Sequence, residues 1–313
     1  MKILVAEPLN LADEVKSRLA ALGTVVFGPF DDRTLIQELS DSDALMVRLG
    51  RHIGAPLLAQ APKLRFILTA TTGLDHIDVD AARRAGIRVI SLRDCPEAIV
   101  DVSATAEHCF GLILALARRI PWAAGHVQTG GWDRDRFWGG QLAGKRLGIV
   151  GYGRIGAMMA RYGSAFGMEI LAYDTAPDKI RAPANPVCLD DLLQRSDVVT
   201  LHVTRGRENR HLIGDAAVAR MKPGALVINT ARGSVVDEQA LARGVSSGHL
   251  KGVAVDVLSG EEHGQIENSP LLTCAREGRN VIITPHIGGA TYESIAHTEM
   301  AIVNRFGQIL ATL

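Results

Sequence analysis

Residues 145–174 read KRLGIVGYGRIGAMMARYGSAFGMEILAYD, and their pattern decides the fold class. Leu147, Ile149 and Val150 form a short apolar run suited to a buried strand, which leads into Gly151, Gly153 and Gly156 spaced as G-x-G-x-x-G. The first glycine permits a tight turn, the second lets backbone approach a pyrophosphate, and the third lets a helix lie close on the strand. Arg154 and Ile155 open that helix, whose unpaired N–H groups and positive dipole end suit phosphate. A second strand is expected over 169–173. Asp174, at its end and about 20 residues past the glycines, is placed to bond both ribose hydroxyls of an adenosine and to repel a 2′-phosphate. The triplet alone is a weak signal, but strand, helix and acid around it predict a dinucleotide site that prefers NAD. The competing reading is a βαβ unit with small residues for packing and Asp174 as a strand-end cap.

The chain has 313 residues, which suits two domains, and its 34 basic and 34 acidic side chains balance. No basic run supplies the footprint of a nucleic-acid binder, so no such partner is expected. Cys95, Cys109, Cys188 and Cys274 are scattered without a C-x-x-C pair. Neither a metal site nor a disulfide framework follows, and a reducing, cytoplasmic setting is expected. The opening MKILVAEPLN is broken by Glu7 and Pro8, too early for a signal peptide. No run is expected to reach the length of a membrane span, so no membrane partner is expected either.

Working outward, apolar runs at 3–6, 24–27, 44–47, 66–69 and 89–91 alternate with helical patterns. That alternation predicts a parallel sheet with helices on both faces, and the absence of a G-x-G-x-x-G marks a separate, non-nucleotide domain. Residues 103–120, SATAEHCFGLILALARRI, predict one buried helix with charges matched to its dipole, stopped by Pro121. Residues 122–140 carry Trp122, Trp132 and Trp138 among glycines and suit either an extended arm whose aromatics need cover or a loop folded on its own domain. Strands at 198–202, 225–229, 252–255 and 281–284 complete a doubly wound sheet of about six strands. His202, Thr230, Ala231, Arg232, Asp256 and His286 follow those strands closely, at the edge where open α/β sheets bind ligands. A last helix over 292–310 is expected to pack back on the first domain.

Three charged groups stand on separate loops at that edge: Arg232 in NTARGSVVDEQAL, Glu261 in VAVDVLSGEE and His286 in VIITPHIGG. If they converge beside a bound nicotinamide, His286 can exchange a proton with a hydroxyl, and Glu261 on its other ring nitrogen can fix the tautomer. Arg232 offers a planar fork to a carboxylate. Singly, each has a bland alternative: a capped surface histidine, a solvated acid beside Glu262, a surface arginine.

With TTGLDHIDVDAARRAG (71–86), ATAEH (104–108), LGIVGYGRIG, INTARGSVVDEQAL, GVAVDV and TPHIGG in this order, the chain resembles the D-isomer-specific 2-hydroxyacid dehydrogenase family over nearly its whole length, phosphoglycerate dehydrogenase-like and glyoxylate/hydroxypyruvate reductase-like members included. The resemblance implies two Rossmann-like doubly wound α/β domains, with an NAD-binding domain (99–287) inserted into a flavodoxin-like substrate domain (1–98 and 288–313) and the site in the cleft between them. It implies Arg232, Glu261 and His286 as the catalytic group. It implies cofactor contacts from Arg154, Ile155, Asp174, Thr230, Ala231, Asp256 and Gly288; the glycine turn of Gly151, Gly153 and Gly156 and the strand-end residues His202, Arg232 and His286 complete the expected cofactor set. A small 2-hydroxy or 2-oxo acid would be held by amides of the loop bearing Thr72, Gly73, Leu74 and Asp75, helped by Arg48 and Arg232. It also implies a homodimer built on 103–120. No domain after the last helix is expected to supply feedback regulation.

Two stretches depart from the family pattern. DVLSGEEHG replaces D-V-F-x-x-E-P, with Leu258 for the aromatic and Glu262 for the proline, while the spacing still selects Glu261. LRDCPEAIVDVSATAEH (92–108) puts Asp101 where asparagine is frequent, which leaves room for an unfamiliar substrate. The rival class is a nicotinamide-responsive binding protein of the corepressor kind, which shares the fold; an intact Arg/Glu/His set favours the enzyme.

Overall fold

In the first hundred residues the apolar runs pair as β1 (Lys2–Val5), β2 (Thr24–Phe27), β3 (Ala44–Val47), β4 (Phe66–Thr69) and β5 (Arg88–Ile90). In the computed structural model, which describes every residue except Glu262, His263 and Leu313, they form a parallel sheet ordered β2-β1-β3-β4-β5. β3 and β4 are buried at every position because both faces are covered. On one face Ile3, Val5, Met46, Phe66 and Leu68 pack with Val15 and Leu19 of α1 (Asp13–Ala20) and with Ile302, Val303 and Phe306 of α12 (Tyr292–Leu310). On the other, Leu4, Leu45, Val47 and Ile67 meet α2 (Asp32–Leu39), α3 (Ala55–Leu58) and α4 (Val79–Arg84). The period-two alternation of the strands thus feeds two separate half-cores. One compact unit comprises Met1–Val102 and Ala290–Leu313, the other Ser103–Gly289; the divisions fall a few residues beyond those expected from sequence.

The second unit holds seven parallel strands ordered β12-β11-β10-β9-β6-β7-β8. They are β6 (Arg146–Val150), β7 (Glu169–Tyr173), β8 (Ala184–Pro186), β9 (Val198–Leu201), β10 (Ala225–Asn229), β11 (Leu250–Val255) and β12 (Val281–Ile283). The unpredicted seventh strand is β8, an edge segment ending in Asn-Pro that carries no alternating pattern and is tolerated only at an edge. Leu147, Ile149, Leu226, Ile228 and Ala254 pack with α5 (Ala104–Arg118) and α7 (Arg154–Ala165). Val227, Val253 and Val255 face α8 (Leu189–Arg195), α9 (Asp215–Arg220), α10 (Glu238–Ser246) and α11 (Pro270–Arg276). Strand order reverses between β6 and β9, so the loops leaving their C-terminal ends diverge and open a crevice.

Two expectations need correction. Pro121 does not stop the long helix. The break is at Arg119, which turns left-handed at φ 54°, and Pro121 lies in the first turn of a further helix, α6 (Ile120–Gln128), where its missing N–H costs no hydrogen bond. The segment after α5 is therefore helical before it becomes irregular. Trp122 packs partly on the core, while Trp132 and Trp138 are 90% and 74% exposed. Secondly, Pro96–Arg118 is long and apolar enough by length and composition to cross a membrane. Within it, Ala106, Cys109, Phe110, Ile113 and Leu116 of α5 are spent on the core of the second unit.

Candidate active site

The three glycines divide their work as the chemistry demands. Gly151 turns at φ 94°, and a Cβ there would lie 2.7 Å from the His202 carbonyl oxygen. A Cβ on Gly156 would lie 2.2 Å from the Gly151 carbonyl oxygen, so helix and turn touch through backbone. At Gly153 a Cβ would meet nothing within 4 Å, which leaves open space beside the start of α7. Gly153 is the N-cap of that helix and, being a glycine, brings no side chain over its first amides. Burial lowers the pKa of the Arg154 guanidinium in the first turn. Asp174 is oriented from both sides, its Oδ2 accepting from Tyr152 N at 2.7 Å and its Oδ1 from Ala176 N at 2.9 Å. His202 follows β9; burial pushes its imidazole down to about 3.

Asn229 ends β10 fully buried and shapes the next loop, accepting from Ala231 N at 3.0 Å and donating to the Arg232 carbonyl at 2.8 Å. Arg232 leaves this turn with Nη1 donating to the Ala231 carbonyl at 2.6 Å. Behind it, a Cβ on Gly233 would lie 2.2 Å from the Leu258 carbonyl carbon, so the Arg232 and Glu261 loops meet backbone to backbone. The buried carboxylate of Glu238, at the head of α10, accepts from Ser259 N at 2.7 Å and from the Ser269 hydroxyl, clamping the same loop. Glu261 then folds back, its Oε2 accepting from Leu258 N at 3.0 Å. Its Oε1 lies 2.7 Å from His286 Nδ1. The two side chains are 25% and 30% exposed, so a small solute can reach the pair. With Glu261 ionised, the shared proton sits on Nδ1 and Nε2 is left for exchange.

His286 adopts φ 54°, uncommon for a residue with a side chain. Its N–H donates to the carbonyls of Asp256 and Thr284 at 2.9 and 3.0 Å. Asp256 closes the turn from beneath: Oδ1 accepts from Thr284 Oγ1 at 2.6 Å and Ile287 N at 2.9 Å, and Oδ2 from Gly288 N at 2.7 Å. Burial pushes this carboxyl upward, but hydrogen bonds from His108, Thr284 and the two amides outweigh it and hold Asp256 below the usual carboxylate range. The carboxylate expected to face cofactor is thus engaged by protein donors.

In the first unit, the loop after β4 turns carbonyls onto protein donors: Arg93 Nε bonds the Thr72 oxygen at 2.8 Å and Thr71 Oγ1 the Gly73 oxygen at 2.7 Å. Leu74 packs partly on the core. Arg48 is turned inward, with Nε 2.7 Å from Glu299 Oε1 and Nη1 2.5 Å from the Leu9 carbonyl oxygen.

Of the residues expected from sequence, Glu261 and His286 are in direct hydrogen bond and Arg232 occupies the adjoining loop. Glu262 lies outside the described residues. Sequence reading missed Asn229, Glu238, His108 and Thr284 as supports. Asn229, next to Thr230 at a strand end, carries a turn signal, whereas nothing local to Glu238 marks it beyond an acid in the first turn of a helix.

Residues 110–288 match the family profile described as D-isomer specific 2-hydroxyacid dehydrogenase, NAD binding domain. The chain is 37% identical over 300 residues to D-3-phosphoglycerate dehydrogenase of Mycobacterium tuberculosis, covering 93% of this chain and 53% of that protein. It therefore spans about half the length of such relatives. It is 36% identical over 271 residues to hydroxypyruvate reductase of Thermotoga maritima, covering 87% of this chain and 86% of the relative. Among solved structures, D-lactate dehydrogenase from Aquifex aeolicus, complexed with NAD and lactic acid, superposes with a TM-score of 0.83 at 30% identity, covering 100% of this chain and 96% of that one. Carrying the nucleotide turn and the paired Glu261 and His286 on its own loops, and matched at this level, the chain belongs to the D-isomer-specific 2-hydroxyacid dehydrogenase family.

Proposed function

We propose that this protein is an NAD-dependent oxidoreductase that interconverts a D-2-hydroxy acid and its 2-oxo acid, with His286 as acid and base. The observation that carries the reading is the 2.7 Å contact between His286 Nδ1 and Glu261 Oε1, on loops of the sheet that bears the glycine turn. The residues fit the cofactor: open space at Gly153, an α7 start capped by that glycine, and an oriented Asp174 at the end of β7. When bound, NAD supplies the acceptor or donor of the electron pair at the carbinol carbon. His286 Nε2 takes the hydroxyl proton on oxidation and returns one to the oxo oxygen on reduction. Glu261 holds the ring through Nδ1 and leaves Nε2 turned to the proton transfer. Arg232 supplies a fork for the substrate carboxylate and positive charge near the oxo oxygen.

The amides of Thr72, Gly73 and Leu74 keep the carboxylate-binding role that the resemblance implies. The working form is a cytoplasmic homodimer. The rival reading as a corepressor-like binding protein finds no support in the relatives.

The test is NADH oxidation with glyoxylate, hydroxypyruvate and pyruvate. At least one is reduced, and His286→Ala lowers kcat by about 10²- to 10⁴-fold. Glu261→Gln gives a smaller loss and Glu262→Gln none. No turnover by the parent on any of the three acids, or equal losses from the two glutamate variants, counts against the assignment.

A further inference from the structure

His108 has no part in that reading, yet its ring reaches the same loops. We propose that His108 is a positioning residue for His286, acting through Thr284 and Asp256; this deepens the dehydrogenase reading and rests on its assignment of His286.

The hydrogen bonds run in one direction. His108, in the first half of α5, places Nε2 3.0 Å from Thr284 Oγ1 and 3.3 Å from Asp256 Oδ1. Thr284 has a single hydroxyl proton, and the 2.6 Å approach to the buried Asp256 carboxylate consumes it. What Thr284 presents to His108 is therefore a lone pair, so His108 Nε2 carries a proton and donates. The tautomer is set by the partners. Asp256, ionised by the same shell of donors, spends its oxygens on Ile287 N and Gly288 N, the two amides that follow His286.

Those amides decide where the His286 ring goes. His286 sits in the left-handed region, which a residue with a Cβ keeps only when its surroundings hold it there. The holding groups are the Asp256 carbonyl in front and the Asp256 carboxylate behind. Packing on this side leaves no slack, since a Cβ on Gly288 would stand 2.9 Å from Asp256 Oδ2 and 3.7 Å from His108 Cδ2. His108 is supplied by α5, outside the β11 and β12 loops, and it ties the turn to the helix that backs the sheet. Without its donor, Thr284 and Asp256 lose a partner in a buried setting and the turn carrying His286 loosens.

The experiment uses the full chain and the variants His108→Phe, His108→Gln and Thr284→Val. The glutamine keeps an N–H donor, phenylalanine keeps the bulk without one, and valine removes the bridging hydroxyl. In steady-state reduction of the best 2-oxo acid, His108→Phe lowers kcat on the order of 10²-fold, the scale of a displaced catalytic group, with KM little changed. His108→Gln restores most of the rate, and Thr284→Val resembles the phenylalanine variant. In parallel, the His286 Nδ1–H proton resonance, identified by its loss in His286→Ala, is lost in His108→Phe and kept in His108→Gln. The proposal is overturned if His108→Phe leaves kcat and the resonance as in the parent, or if His108→Gln is impaired as fully as His108→Phe. The resonance needs no turnover. A parent that reduces no 2-oxo acid sinks the dehydrogenase reading while the coupling of His108 to His286 is still decided.

Discussion

The His202 imidazole, pushed from 6.5 down to about 3 by burial, makes the folded chain refuse a proton that the unfolded chain binds. Its Nε2 is buried without a hydrogen-bond partner among the described residues. Stability from this residue is therefore fully present above about pH 6.5 and declines as pH falls toward 3. By about pH 5 the loss amounts to roughly 1 kcal/mol, discounted from full linkage because the residue as a whole is only partly shielded from water. Urea unfolding between about pH 7 and pH 5 checks this, since His202→Gln should remove that part of the slope. Parallel profiles for parent and variant would show that the ring titrates normally. His202 was expected to contact cofactor because it follows a strand, yet nothing in the residues around it announced that its ring would be desolvated.

Between elements, two close approaches carry consequences. Gly233 lets the Arg232 loop lie on the Glu261 loop, and Gly233→Ala would drive a Cβ to 2.2 Å from backbone. Overpacking of this kind costs about 1–3 kcal/mol, and because the strain separates the Arg232 loop from the Glu261 loop, kcat should fall much further than stability explains if the proposed site is right. Paired kinetics and thermal melts check it; a variant with parental kcat would place the loops elsewhere. In the first unit the tie is ionic. Glu299 on α12 is 1% exposed and paired to Arg48, which follows β3. Arg48→Ala would strand that carboxylate and destabilise the fold by about 3–5 kcal/mol. A raised KM with unchanged stability would instead return Arg48 to the substrate, the role the resemblance implies. Strand positions were legible because buried parallel strands are short continuous apolar runs. The end of the long helix was not: Pro121 terminates or initiates with equal local logic, and the left-handed turn at Arg119 decided between them.

For the whole molecule, Ile120 and Val127 of α6 with Trp132 and Trp138 beyond it leave large apolar side chains in water, which asks for cover by a second copy. Sedimentation at micromolar concentration should find a dimer, and Trp138→Ala should weaken it; a parent that sediments as a monomer ends the proposal. The sequence by itself determined the α/β class, the glycine turn with its acid, and the loops that carry Arg232, Glu261 and His286, because period, glycine spacing and strand-end position are local properties of the chain. Only the tertiary structure decided that Glu238 clamps the Glu261 loop, that Arg48 turns onto Glu299, and that His108, Thr284 and Asp256 hold His286 left-handed. Those contacts join residues far apart in the chain. A buried donor or acceptor takes whatever partner the packed sheet and helices bring to it, and no pattern along one segment encodes that choice.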